Sequence, residues 1–110
     1  MTKTTLSPEE IQRVLAENRA KIDIIDTRLV DLLNQRAAAV QEIGQAKDAA
    51  KMAIYEPKRE DDVYRNVQAA NAGPLSGEAL KRVFERIIDE MRTLQKQRRA
   101  AEQNARRGDS

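Results

Sequence analysis

The sequence contains no cysteine and no histidine. Their absence excludes disulfides, thiolate nucleophiles, imidazole bases and the usual zinc or haem ligands. Any chemistry must therefore use carboxylates, lysines, arginines, amides or hydroxyls. Aromatic residues make up 3 %, and four glycines and three prolines are spread over 110 residues. Sandwiches and barrels, which need many turns and β-formers, are disfavoured, and 35 % charged residues point to solvated helices in an all-α protein. No stretch approaches the roughly 20 apolar residues that span a bilayer, and Met1 to Thr5 shows no apolar signal core. A cytoplasmic location with no membrane partner is the expectation. The length fits one domain.

The formal net charge is +2. The segment from Lys96 to Ser110 carries five basic and two acidic residues, hence +3, which leaves −1 for the remainder. A nucleic-acid binder would place a basic stripe and stacking aromatics on its folded part, whereas Tyr55, Tyr64 and Phe84 are few and scattered. No nucleic-acid partner is expected, and residues 101–110 read as a disordered basic tail.

Ser7-Pro8-Glu9-Glu10 reads as a helix start, with Ser7 as the cap, Pro8 in the first turn and acids at the positive end of the dipole. From Ile11 apolar residues recur at helical spacing through Val14, Leu15, Ile22, Ile25, Leu29, Leu32, Leu33, Val40 and Ile43. Asp48 to Tyr55 reads as a loop, and Glu56-Pro57 restarts a short helix with Val63, Tyr64 and Val67 on one face. Asn71-Ala72-Gly73-Pro74 breaks the chain, and Ser76 can cap a third helix carrying Leu80, Val83, Phe84, Ile87, Ile88, Met91 and Leu94. The pattern is long, short, long, with helices over about 8–47, 56–70 and 76–100 in a single domain. A first helix of about 40 residues is about 60 Å long, against a diameter of about 34 Å for a compact domain of this length. Its far end needs a second copy of the chain, which predicts a helix-swapped, intertwined homodimer.

Arg36 and Lys47 fall on the apolar stripe of the first helix, eleven residues and about three turns apart. A buried cation must be paired, hydrated or awaiting an anionic ligand. Asp26, Asp31 or Glu60 could pair it in the core. The face of Val67 and Val63, extended backwards, reaches Glu60, Arg59 and Glu56, and the row Phe84, Ile88, Met91 ends in Gln95. Each position alone is commonplace on a solvated turn; together they suggest a shared polar pocket.

Three segments carry a family resemblance: Arg19-x-x-Ile22-Asp23-x-x-Asp26-x-x-Leu29-x-x-Leu32-Leu33-x-x-Arg36, Ile43-Gly44-x-x-Lys47, and Ile54-Tyr55-Glu56-Pro57-Lys58-Arg59-Glu60. In order and spacing, over roughly Arg19 to Gln95, the chain resembles the all-helical chorismate mutases. The resemblance implies a three-helix protomer in an intertwined dimer that rearranges chorismate to prephenate in aromatic amino-acid biosynthesis, with no cofactor and no metal. It implies that Arg36 and Arg19, the latter from the other subunit, clamp the substrate carboxylates, with Arg59 as a further positioning residue. Lys47 and Gln95 would donate to the ether oxygen, and Glu60, with Glu56 as the weaker choice, would accept the ring hydroxyl. Met91 stands in the substrate-binding set where related sequences often carry a small hydroxyl residue. Two alternatives stay open: an isochorismate pyruvate lyase, against which the acid at Glu60 argues, and a non-catalytic helical interaction module. Another shikimate-pathway enzyme, fused or docked, is a conceivable partner.

Overall fold

The computed structural model describes residues 5–108. Its three helices are α1 (Pro8–Ala49), α2 (Pro57–Ala70) and α3 (Gly77–Gly108), and no strand occurs among the described residues. The cap at Ser7 is made, its Oγ accepting from the Glu10 N–H at 3.2 Å, and Ser76 does the same for Ala79 at 3.0 Å. Among the described residues no helix is long and apolar enough to cross a membrane.

The described chain divides into two compact units, one ending at Arg36 and one beginning at Ala37. The first is the larger part of α1. On it Ile11, Val14, Leu15, Ile22, Ile25, Leu29, Leu32 and Leu33 are all exposed. A stripe of this width on a stable helix calls for a covering surface.

The second unit holds the last turns of α1, together with α2 and α3. Its core is small: among the described residues, Ile88 and Met91 of α3 are the buried apolar ones. α2 and α3 run antiparallel, since Gln68 near the end of α2 donates to the carbonyl of Gly77 at the start of α3, while Glu60 meets Arg92 further along. The connection between them is tied by Asn71, whose Oδ1 accepts from the Gly73 N–H at 3.0 Å and whose Nδ2 donates to the Leu75 carbonyl at 2.8 Å. Gly73 has φ +79°, which explains the glycine there.

Two element ends differ from the sequence expectation. α1 runs to Ala49 and closes in a Schellman turn, with Met52 N–H on the Lys47 carbonyl at 2.7 Å and Lys51 N–H on that of Asp48 at 3.1 Å. Lys51 occupies the left-handed position, φ +56°, where glycine is usual. The expected disordered tail is a correction: α3 continues through Gly108, so residues 101–108 are helical, and only residues 109 and 110 of that tail lie outside the described part. Ala100, Ala101 and Ala105 favour helix, Arg98 pairs with Glu102 one turn on at 3.2 Å, and Arg106 and Arg107 face the negative end of the dipole.

Candidate functional site

Lys47 is the one buried charged residue among those described, 8 % exposed, in the last turn of α1. Its Nζ donates to the Ile54 carbonyl at 3.0 Å and lies 2.5 Å from Glu56 Oε1. The core partners anticipated for a cation here, Asp26, Asp31 or Glu60, are not the ones it finds. The reason is the Schellman turn, which folds residues 50–56 back over the helix end and delivers Ile54 and Glu56 to the ammonium. Glu56 stands at the cap position of α2 yet makes no side-chain capping bond; its carboxylate is on Lys47 instead. With its side chain 45 % exposed, Glu56 can exchange that contact for water or ligand.

Gln95 is half-buried on α3 and donates from Nε2 to the Val40 carbonyl at 3.4 Å. Gly44 lies directly beneath it: a Cβ at that position would sit 3.7 Å from Nε2 and 3.8 Å from Cγ. Gln95 and Gly44 line a narrow cleft with Ile54, the residue whose carbonyl accepts from Lys47. Arg98 and Arg99 form its other border, Arg98 donating to the Gln41 carbonyl at 2.8 Å and Arg99 to Asp48 Oδ1 at 2.6 Å and the Met52 carbonyl at 3.2 Å.

Glu60 is held differently. Its Oε2 accepts from Arg92 Nη2, and the two side chains are only 20 % and 23 % exposed. The Arg92 guanidinium also stacks over the Tyr55 ring, 4.9 Å from its centroid. The hydrogen bond to Glu60 holds the Arg92 pKa above its ordinary value. Tyr64, in the same cleft, is raised first by partial burial and then by the negative charges of Glu60 and Glu85. That cleft, about 470 Å³ between α2 and α3, is lined by neither Lys47 nor Gln95. A further cleft of about 600 Å³, beside Lys51, Met52 and Arg106, also lacks both.

Of the remaining sequence-derived positions, Arg59 is exposed on the first turn of α2, and Met91 is buried in the core of the second unit. Arg19 and Arg36 belong to the first unit, Arg19 exposed and Arg36 half-buried. The structure thus joins Lys47 to Glu56, and places Glu60 with Arg92, a residue the sequence reading passed over. The signal was present: Arg92 lies four residues beyond Ile88 on the same face, the criterion that singled out Arg36 and Lys47 on α1.

These features define an all-helical protein, among the described residues, that holds a buried ammonium and a half-buried amide at the end of its first helix and on its third. The sequence profile of the family described as chorismate mutase type II matches residues 18–96, and the chain belongs to that family. It is 38 % identical over 82 residues to a bifunctional chorismate mutase/prephenate dehydratase of Neisseria gonorrhoeae, covering 74 % of this chain and 22 % of that protein. A chorismate mutase of Methanocaldococcus jannaschii is 29 % identical over 84 residues, covering 76 % of this chain and 85 % of its own. Among solved structures, chorismate mutase (form II) of Thermus thermophilus superposes with a TM-score of 0.73 at 30 % identity, covering 76 % of this chain and 94 % of that one. The chain spans about a quarter of the length of the bifunctional relatives it matches.

Proposed function

We propose that the chain converts chorismate to prephenate, acting as a homodimer whose sites each combine groups of both copies. The observation that carries this reading is Lys47: an ammonium buried at a helix end, held by one carbonyl and one solvent-reached carboxylate, in a chain of this family. The rearrangement is unimolecular. A carbon–oxygen bond breaks as a carbon–carbon bond forms, no group leaves, and neither nucleophile nor general base nor cofactor is called for. What remains for the protein is to hold the compact conformer and to place fixed donors against the oxygen on which negative charge grows.

In this reading Lys47 and Gln95 donate to that oxygen, and Glu56 releases Lys47 as substrate enters. Glu60 accepts the ring hydroxyl. Arg36 and the partner's Arg19 fork the two carboxylates, with Arg59 as an outer positioning group. Met91, an apolar side chain, supplies bulk and no hydrogen bond. The dimer is supported by the exposed apolar stripe of the first unit, where each half-exposed Ile or Leu gains on the order of 1 kcal/mol when covered. Bifunctional relatives carry a prephenate dehydratase beside the mutase, so a prephenate-consuming enzyme, fused or separate, is the natural recipient of product.

The test is loss of chorismate ultraviolet absorbance on adding the purified protein, repeated with isochorismate. Consumption of chorismate to prephenate is expected. Pyruvate release from isochorismate with chorismate untouched would instead establish the lyase, and inertness toward both the interaction module. For the dimer, Arg19→Ala and Arg36→Ala should each be nearly inactive, yet regain part of the activity when unfolded and refolded together. Sedimentation showing a folded 12.4 kDa species at micromolar concentration would refute it.

A further inference from the structure

We infer that Arg92 is a positioning residue for Glu60, fixing its carboxylate so that one oxygen stays directed to the substrate hydroxyl; the inference rests on the mutase reading of the site. Arg92 follows buried Ile88 by one helical turn, so its stem belongs to the packed face of α3, and its side chain is only 23 % exposed. Three elements grip that head. Glu60 Oε2 of α2 accepts from Nη2, Asp89 Oδ1 of α3 lies 3.4 Å from Nη1, and the Tyr55 ring of the α1–α2 connection lies against its face.

The geometry suits orientation better than stability. Arg92 engages one carboxylate oxygen of Glu60, Oε2, which leaves Oε1 to accept from a ligand. A glutamate on the first turn of a helix otherwise samples several rotamers, and an acceptor displaced by about 1 Å can cost up to 100-fold in rate. A guanidinium stacked on an aromatic ring and held by hydrogen bonds from two of its nitrogens fixes direction as well as charge, which an ammonium in the same place would not. An apolar pair would serve a purely structural purpose at least as well, because partly buried ion pairs return little net stability over hydrophobic isosteres. Arg92 reaches the reacting molecule only through Glu60.

Acting through another residue has a definite kinetic signature: the effect of Arg92 must vanish once Glu60 can no longer serve. The experiment compares kcat/KM for chorismate in the full-length protein, Arg92→Leu, Glu60→Gln and the double variant, with circular dichroism confirming the fold. Arg92→Leu should lose on the order of tenfold in the wild-type background and less than about twofold in the Glu60→Gln background, the non-additivity expected of directly coupled groups. Should Arg92→Leu fail to fold, Arg92→Lys replaces it, with a smaller loss in the wild-type background and again none beside Gln at position 60. Equal losses in both backgrounds, with the wild type active, overturn the positioning role and make Arg92 structural or a direct substrate contact. A wild type that leaves chorismate untouched overturns the functional reading, and this inference falls with it.

Discussion

Lys47→Met separates the catalytic from the structural meaning of a buried lysine. The substitution keeps the length of the stem and removes the ammonium, so the structure fixes what is lost. The half-buried Ile54 carbonyl loses a donor, which costs about 1–2 kcal/mol. Glu56, 45 % exposed, turns to water, and a pair with so accessible a partner contributes less than about 1 kcal/mol. Against these stand the relieved desolvation of a charge that is 8 % exposed and the apolar contacts of Met, with helix propensities almost equal. The sum is a destabilisation of about 1–2 kcal/mol, visible as a modest fall in the denaturant midpoint. Activity should respond on another scale. If Lys47 donates to the breaking bond, removal of that donor costs about 2.7–4 kcal/mol of transition-state stabilisation, or roughly 100- to 1,000-fold in kcat. The assay is steady-state consumption of chorismate beside urea unfolding of the same preparations. A folded Lys47→Met that retains more than about a tenth of wild-type kcat would refute the role, because a missing oxyanion donor in a preorganised site cannot be so cheap.

Three further outcomes follow from named contacts. Gln95→Glu should shift the pH profile of kcat/KM toward acid, since a carboxylate repels the growing negative charge while its protonated form can donate; a profile parallel to wild type between pH 4 and 8 would take Gln95 away from the reacting oxygen. Lys51→Gly should stabilise the fold by about 1 kcal/mol, by relieving a side chain at φ +56°, with no change in KM; an unchanged or lower urea midpoint would contradict the Schellman assignment. Tyr64 has its pKa raised above 10.0 in the folded state, so its share of stability is complete below the unfolded value and is lost as pH climbs through the raised one; Tyr64→Phe should flatten unfolding curves in that alkaline window and nowhere else.

Much of the scaffold was legible because local chemistry sets it. Ser7 and Ser76 as caps, Pro57 at a first turn and the Asn71 to Pro74 break each satisfy orphan backbone groups or restrict φ, so three-to-four-residue words suffice to place them. The partner of Lys47 was not legible. It depends on a left-handed turn at a lysine, where no glycine announces it, and on that turn returning Glu56 to the helix end. The helical residues 101–108 were misread for a related reason: a run of charges looked solvated, whereas Arg98, Glu102 and the alanines between and beyond them sustain the helix. Arg92 carried the same periodicity signal as Lys47, but only the fold shows that Tyr55 and Glu60, from two other elements, close around it.

What unites these sites is that α3 serves as a common reference for the rest of the second unit. Arg92, Gln95 and Arg99 follow one another along it at spacings of three and four residues, and together they reach both other helices: Arg92 meets Glu60 of α2, while Gln95 meets the Val40 carbonyl and Arg99 meets Asp48 of α1, with the Met52 carbonyl just beyond it. Ile88 and Met91 anchor the same stretch in the core. Displacing one polar contact therefore strains a helix whose other contacts stay made, and the donors resist reorganisation. For a reaction that requires only a fixed shape and fixed charge, such resistance is worth more than an additional hydrogen bond to substrate. An apolar Met91 on this helix is then consistent with catalysis. Its burial strengthens the frame that holds Gln95 one turn away, and a hydroxyl in its place would exchange packing for a contact while leaving a cavity beneath the donor row.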